Sequence, residues 1–505
     1  KLTKEDIVAF ANKYLKEDNY AVIYKKQGKD PNEKKMTKPE ITPIITNRDV
    51  ASPFLVEVQE SAVKPIEPVF LDYQKDMSQL KAKSDIPVLY KQNVANDLFQ
   101  LIYVFDMGNN HDKALGTAFD YLEYLGTSDM TPEELKSEFY RLACTFYVSP
   151  GNERTYVVLS GLNENMPAAV QLFEKLLADA QVNKEAYTNM TSDILKARSD
   201  AKLNQGQNFS RLMSFAMYGP KSPATNLLTE AELTNMNPQE LVDRIHNQNS
   251  YKHRILYYGP SSSKDLLATI NQYHQVPAAL KDIPAGNEYS YLETPVTKVL
   301  VAPYDAKQIY MAQISNLDKK YDPAIEPIRA LYDEYFGGGM NSIVFQEMRE
   351  TRGLAYSAWP SIMPPSYLKY PYVLRTQIAT QNDKMIDAVT TFNDIINNMP
   401  ESEAAFKLAK DGLTNRLRTE RIIKGDIIWS YINAQDLGQN VDPRIKLYND
   451  IQNMSLKDIV DFQKQWVKGR TYVYCILGDK KDLELDKLKA VGPIEELAQE
   501  QIFGY

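Results

Sequence analysis

Three stretches of this 505-residue chain spell the same ending. Residues 2–24, LTKEDIVAFANKYLKEDNYAVIY, align with residues 454–476, MSLKDIVDFQKQWVKGRTYVYCI. Asp6, Ile7, Val8 and Phe10 match Asp458, Ile459, Val460 and Phe462, while Tyr14 and Tyr20 meet Trp466 and Tyr472. Each copy predicts a capped amphipathic helix, with Thr3 and Ser455 as N-caps, followed by a β-rich run. A weaker copy spans Met236–Gly259, with Asn237 as cap, Leu241 and Val242 on the buried face, and Ile255–Tyr258 as the strand. From Ile7 to Leu241 is 234 residues and from Leu241 to Ile459 is 218, so one helix–strand ending recurs at domain-sized intervals. The expectation is two complete tandem domains behind one orphan ending. On that reading residues 1–30 close a domain whose body lies upstream, and the chain is the later part of a longer protein.

The stretch 31–85 is rich in Lys, Pro and Glu with weak periodicity, and reads as an extended linker. The first full repeat is expected over 86–275. Its strands are Ile86–Tyr90, Leu98–Phe105 and Tyr156–Leu159, and its helices Lys113–Leu125, Pro132–Phe146, Ala168–Leu177 and Lys184–Ala201. Val276–Gly286 separates it from a second repeat over 287–505. There, strands are expected at Thr297–Val301, Ile309–Gln313 and Tyr372–Ala379, and helices at Ile325–Tyr335, Lys384–Asn397 and Glu401–Ile422. The predicted class is α+β: two tandem α/β sandwich domains, each with helices covering one face of a largely antiparallel sheet.

A net charge of −8 argues against binding nucleic-acid phosphates, which requires Lys and Arg in excess. The 33 tyrosines are scattered rather than gathered on a basic stacking face. No apolar run reaches the roughly 18 residues a membrane helix needs. The two cysteines, Cys144 and Cys475, fall in different repeats and form no ligand pair.

The most distinctive single stretch is Phe336–Tyr356, FGGGMNSIVFQEMRETRGLAY. Gly337, Gly338 and Gly339 allow close backbone approach ahead of a helix whose buried stripe is expected to be Met340, Ile343, Val344 and Met348. Gly353 is placed to end that helix. Arg349 and Tyr356 then lie near each other, a fixed cation beside a phenol. The spacing GGGMNS matches neither common phosphate-binding loop. On the residues alone, Arg349 fits a helix charge paired with Glu350 or Glu347, Tyr356 a half-buried strand aromatic, and the glycines a plain turn.

The tandem domains, the glycine turn, the FQEMRETRGLAY helix and the repeated ending resemble the pitrilysin/insulinase family of zinc metallopeptidases. The resemblance covers nearly the whole chain. It implies a clamshell of four such domains, or of two subunits of two, around a peptide chamber. In that family zinc is held by His-x-x-Glu-His on a helix of the first domain, with a further glutamate downstream. None of the four histidines here, His111, His246, His253 and His274, forms that pair. At the corresponding place the chain reads GTAFDYLEYLGT, so that Glu123 fits the general-base position while Asp120 and Tyr124 fill the histidine positions. Asp193 lies where the third ligand is expected. A phenol with a pKa near 10 is a poor zinc ligand at neutral pH. The expectation is a degenerate, metal-free domain with no catalytic residue of its own, and with zinc in the missing N-terminal half.

The resemblance also gives Arg349 and Tyr356 a role. In the family an Arg and a Tyr at this spacing reach across the closed chamber to the substrate, donating hydrogen bonds to a peptide carbonyl or its developing oxyanion. It likewise implies substrate contact at Gly337–Gly339. The leading reading is the non-zinc half of a zinc endopeptidase, partnered by a zinc-carrying half, taking peptides and inactive alone. Its rival is a non-catalytic scaffold or peptide-binding subunit; a third reading is a separate metal site at Asp120, Glu123 and Asp193. Bacterial members are often exported, which makes the periplasm the expected location.

Overall fold

A computed structural model describes residues 2–25, 28, 52–62, 64–306, 308–355 and 357–505. The chain divides into two compact units, Lys1–Pro65 and Ile66–Tyr505. The first holds helices α1 (Lys4–Tyr14) and α2 (Pro53–Glu60). Thr3 caps α1 as its sequence predicts: Asp6 N donates to Thr3 Oγ1 at 3.2 Å, and Thr3 N donates to Asp6 Oδ2 at 2.8 Å. Ile7, Val8, Phe10 and Tyr14 all remain exposed on this helix.

The second unit is built on two six-stranded sheets. Strands β1 (Ser78–Lys81), β2 (Pro87–Gln92), β3 (Leu98–Phe105), β4 (Cys144–Pro150), β5 (Thr155–Leu162) and β6 (His253–Gly259) form the first, in the order β1-β2-β6-β3-β5-β4. Only β2 and β6 pair in parallel. Between these strands run α3 (Leu115–Leu122), α4 (Pro132–Arg141), α5 (Met166–Asp179), α6 (Lys184–Lys202), α7 (Gln205–Tyr218) and α8 (Gln239–Asn247); α9 (Ser263–Tyr273) follows β6. One face, carrying Leu101, Tyr103, Phe105, Val157, Ile255 and Tyr257, packs with helix residues such as Phe119, Phe173 and Leu241.

The second sheet runs β12-β7-β11-β8-β10-β9, from β7 (Lys298–Pro303), β8 (Gln308–Lys320), β9 (Ser357–Met363), β10 (Pro371–Gln381), β11 (Val473–Gly478) and β12 (Ile494–Glu496). Here β7 pairs in parallel with both β11 and β12. Its helices are α10 (Glu326–Phe336), α11 (Met385–Asn397), α12 (Glu403–Thr419), α13 (Asp426–Asp436) and α14 (Leu456–Trp466). Ser455 N donates to Asp458 Oδ2 at 2.8 Å, and Ile459, Val460, Phe462 and Trp466 are buried. The residues that α1 leaves exposed thus have their counterparts in a core.

The sheets differ from expectation in one respect that sets the architecture: both of their faces are covered. Helix α7, which lies between β5 and β6 of the first sheet in sequence, lays Phe209, Leu212 and Ala216 on Leu300, Ala312, Ile314, Val373 and Cys475 of the second. Helix α13 returns the arrangement, setting Ile427, Ile428 and Ile432 against Leu89, Ile102, Val104, Val158 and Leu256 of the first. Their first residues, Gln205 and Asp426, stand 221 apart, close to the interval of the repeated ending. Burial on both faces explains why β3 reads LFQLIYVF, almost continuously apolar, instead of alternating.

Several local readings need correction. The helix expected over Pro132–Phe146 stops at Arg141, because Ala143 turns to a φ of +49° and Cys144 begins β4. Residues 66–85, expected within an extended linker, pack into the second unit. There β1 pairs with β2, and Tyr73 Oη lies 2.9 Å from Ser430 Oγ on α13. Residues 31–51 and 63 of that stretch lie outside the described residues. Met340 is 73% exposed and not part of a buried stripe, since the helix after the glycines starts only at Ile343.

Candidate peptide-contact site

Helix α10 ends at Phe336 and runs directly into the glycine turn. A Cβ on Gly337 would stand 2.5 Å from the Pro360 carbonyl oxygen of β9, and one on Gly338 2.6 Å from Glu334 Cα. Two of the three glycines therefore let the backbone pass between a helix end and a strand. Gly339 faces open space.

A single α-turn at Ile343–Phe345 widens into a π-turn over Gln346–Thr351. Such widened turns are often found at functional positions. Val344 and Met348 are buried beneath it, and the Gln346 side chain donates back to the Met340 carbonyl. Arg349 lies on the outer side with its guanidinium 5.0 Å from the centre of the Phe345 ring and its Nε 3.9 Å from Glu350. Of the two acidic partners expected for it, Glu347 pairs instead with Arg352. Gly353, at φ +56°, donates to the Arg349 carbonyl at 3.1 Å and turns the chain toward β9, the outer strand of its sheet. Tyr356 lies outside the described residues.

A buried polar network fixes this corner. Arg329 bridges Glu326 at 2.9 Å and Asp333 at 2.7 Å within α10, and donates to the Ile362 carbonyl of β9 at 3.1 Å. Asp333 also accepts from Ile362 N at 3.0 Å, and Tyr372 Oη donates to Glu326 at 2.6 Å. Burial pushes the Asp333 carboxyl up to about 6, against the pull of Arg329. The i, i+3 and i+4 spacing of Glu326, Arg329 and Asp333 in EPIRALYDEYF is the sequence signal of this network.

The positions corresponding to a zinc helix fall on and just after α3. Asp120 keeps an exposed surface, yet desolvation and then the neighbouring Glu123 charge raise its pKa. Tyr124 is 44% exposed. Asp193 sits exposed on α6, near Lys196. Among the described residues, no group of three or more His, Cys, Asp or Glu side chains is placed to hold a metal ion. Two carboxylates and a phenol do not fit zinc here. The histidines lie elsewhere: His246 Nε2 is 3.1 Å from the Ala180 carbonyl, and His253 Nε2 meets His274 Nε2 at 2.8 Å. His274 Nδ1 in turn is 2.6 Å from the buried Glu174. Burial, followed by the proximity of His274, lowers the His253 pKa to about 3.

Fold and site together define a tandem α+β chain in which, among the described residues, Asp120, Glu123 and Asp193 form no group placed to hold a metal ion. Its fold is that of the M16 peptidases, the class to which the pitrilysin/insulinase resemblance points. It superposes with a TM-score of 0.62 on a peptidase M16 inactive domain from Pseudomonas fluorescens, at 15% identity over 80% of this chain and 98% of that one. With the periplasmic protease PqqL from Escherichia coli the TM-score is 0.63, at 13% identity over 95% of this chain and 51% of that one. In sequence the chain is 23% identical over 422 residues to the non-peptidase homolog YmxG of Helicobacter pylori, covering 79% of this chain and 93% of the relative. No protein-family model matches the chain. No described helix is long and apolar enough to cross a membrane.

Proposed function

We propose that this chain is the non-catalytic, non-zinc half of an M16-type zinc endopeptidase. It forms one wall of a clamshell chamber and contacts peptide substrates through Arg349 and Tyr356. The observation that carries this reading is Arg349 itself: a cation held on a π-turn next to the outer strand of its sheet, in a chain whose zinc-helix positions are Asp120, Glu123 and Tyr124. A guanidinium so placed can donate to a peptide carbonyl and stabilise the oxyanion formed at a zinc centre on a partner half. Gly337–Gly339 serve mainly to seat the turn on β9, with Gly339 open to a substrate.

The partner is a zinc-carrying half, joined covalently or as a separate subunit. That half covers Ile7, Val8, Phe10 and Tyr14, which α1 leaves exposed. Periplasmic export fits the PqqL likeness. A second reading, a scaffold or peptide-binding subunit without any part in hydrolysis, is favoured by the description of YmxG as a non-peptidase homolog.

Cleavage of a quenched fluorescent peptide by the zinc-carrying half, alone, with this chain and with its Arg349→Ala variant, separates the two. The first reading expects activity only with the wild-type chain. Equal activity with Arg349→Ala, or by the zinc half alone, favours the scaffold.

A further inference from the structure

Gln248 follows the last residue of α8 and is fully buried, yet neither its Nε2 nor its Oε1 has a hydrogen-bond partner among the described residues. Leaving both ends of a buried amide unmatched is costly, and native folds seldom do so. The residue lines a cavity of about 690 Å³, which opens between α8, the loop after β3 and the segment joining the two repeats. The cavity is the side from which partners for this amide can come.

Helix α8 sets the order of the groups along it. Glu240, Arg244 and Gln248 are spaced i, i+4 and i+8, so they form one stripe with steps of about 6 Å, and all three line the cavity. Arg244 donates through Nε to Asp112 at 2.7 Å and through Nη1 to the Glu240 carbonyl at 2.8 Å, while its Nη2 has no partner among the described residues. His111 Nδ1 accepts from Gly108 N at 3.1 Å, so the ring proton sits on Nε2, a second donor without a partner there. Glu240 and Asp243 are exposed at the outer end. From the buried end outward the stripe therefore reads amide, guanidinium, carboxylate.

The lining holds three cations, Lys113, Arg244 and Lys281, and three carboxylates, Asp112, Glu240 and Asp243, so its formal charges cancel. A zwitterion meets both signs, whereas a ligand of single charge leaves one set unmatched. A carboxamide is the group that matches Gln248 at both ends, N–H to oxygen in each direction. The joining segment forms part of the same wall. Lys281 N donates to the Ser250 carbonyl at 2.8 Å, Asn287 N donates to the Asn110 carbonyl at 2.7 Å, and a Cβ on Gly286 would stand 2.8 Å from the His111 ring.

We propose that this cavity binds a free α-amino acid with a carboxamide side chain, of the size of glutamine. Its carboxamide pairs with Gln248, its carboxylate takes the free donors of Arg244 and His111, and its ammonium lies beside Glu240 and Asp243. Glutamine separates its amide from its α-carbon by about 5 Å, close to one helical turn, which suits the stripe. Once bound, the amino acid fastens the joining segment to the first repeat. The site is independent of Arg349 and of the function proposed above.

The test is titration calorimetry and thermal melting of the full chain with L-glutamine, L-methionine and L-glutamate. The expected result is saturable binding of L-glutamine that raises Tm, with the other two, which lack the amide, at least about tenfold weaker. Hydrogen exchange over 281–287 should slow on binding. Gln248→Met removes the unmatched amide, so it should raise the Tm of the ligand-free chain and abolish the response to L-glutamine. Glu240→Gln, at an exposed position, should leave the fold intact and weaken binding severalfold. No response to L-glutamine, which would mean that water alone serves Gln248, overturns the proposal. So does an equal response to L-methionine, or an undiminished one in a natively folded Gln248→Met chain.

Discussion

Arg154, the residue just before β5, and Asp436, the last residue of α13, meet in a two-pronged ion pair: Nη1 and Nη2 each lie 2.6 Å from one carboxylate oxygen. The Arg154 Nε also donates to Asp106 at 2.6 Å, and its guanidinium lies 5.2 Å from the Tyr367 ring centre. One residue earlier, Glu153 accepts from Lys369 at 2.8 Å and from Tyr370 at 3.0 Å. The beginning of one strand in the first sheet thereby anchors both α13 and the approach to β10.

Breaking that fork should be costly. Both side chains are largely buried, so Asp436→Ala leaves Arg154 with only Asp106 and is expected to lower unfolding stability by about 2–4 kcal/mol in urea titration. The exposed Arg141–Glu138 pair is the control; its removal should change stability by less than about 1 kcal/mol. Equal losses at the two sites would show that the fork does not join the halves.

The exchanged helices predict a crossed pattern of damage. Leu212→Ala on α7 removes a fully buried side chain, and should cost about 2–5 kcal/mol. Hydrogen exchange should rise in β7, β8 and β11 of the second sheet, although Leu212 belongs in sequence to the first repeat. Ile428→Ala on α13 should instead loosen β3 and β6.

His253 gives the fold an acid limb. Its pKa is lowered in the folded chain from an ordinary value near 6.5 to about 3, so the unfolded chain binds more protons between those values. Its contribution is complete above about pH 6.5 and is lost as pH falls toward 3, by up to roughly 5 kcal/mol. The groups around it are His274, Glu174 and Tyr103. Asp333, with its raised pKa, works in the opposite sense, favouring the folded state most below about pH 4 and losing that contribution as pH rises through about 6. Subtracting the stability profile of His253→Gln from that of the wild type cancels Asp333, and the difference should grow from pH 3 to pH 6.5.

The glycine turn should respond unequally to alanine. Gly337→Ala drives a methyl group against the Pro360 carbonyl and should destabilise by about 1–3 kcal/mol. Gly339→Ala meets nothing within 4 Å and should be neutral, or stabilising by a few tenths of a kcal/mol through the unfolded chain. Thermal melts of the two variants decide it; matching losses would mean that the turn does not rest on β9.

Much of this architecture is written in local patterns. The β3 boundaries follow from LFQLIYVF, and the capping pairs Thr3–Asp6 and Ser455–Asp458 mark two of the repeated helices. What escaped was long-range. Helices α7 and α13 pass unnoticed as local segments, because what distinguishes them is the distant sheet each one covers. Strand β9 contains Pro360, which argues against a strand unless it lies at an edge, and the edge is not visible in sequence. The helix read through Phe146 shows the opposite failure: Leu135, Phe139, Leu142 and Phe146 keep helical spacing across a turn made at Ala143. At the candidate site the position of Arg349 beyond the glycines was legible, but the π-turn and its Phe345 contact were not.

The reciprocal covering of the sheets also constrains the order in which this protein can be made. A ribosome finishes β6 at Gly259 well before it reaches Asp426, so the first sheet must wait with Leu89, Ile102, Val104 and Leu256 uncovered until α13 emerges. During translation the nascent chain therefore presents a sticky apolar surface that only its own later residues, or a chaperone, can shield.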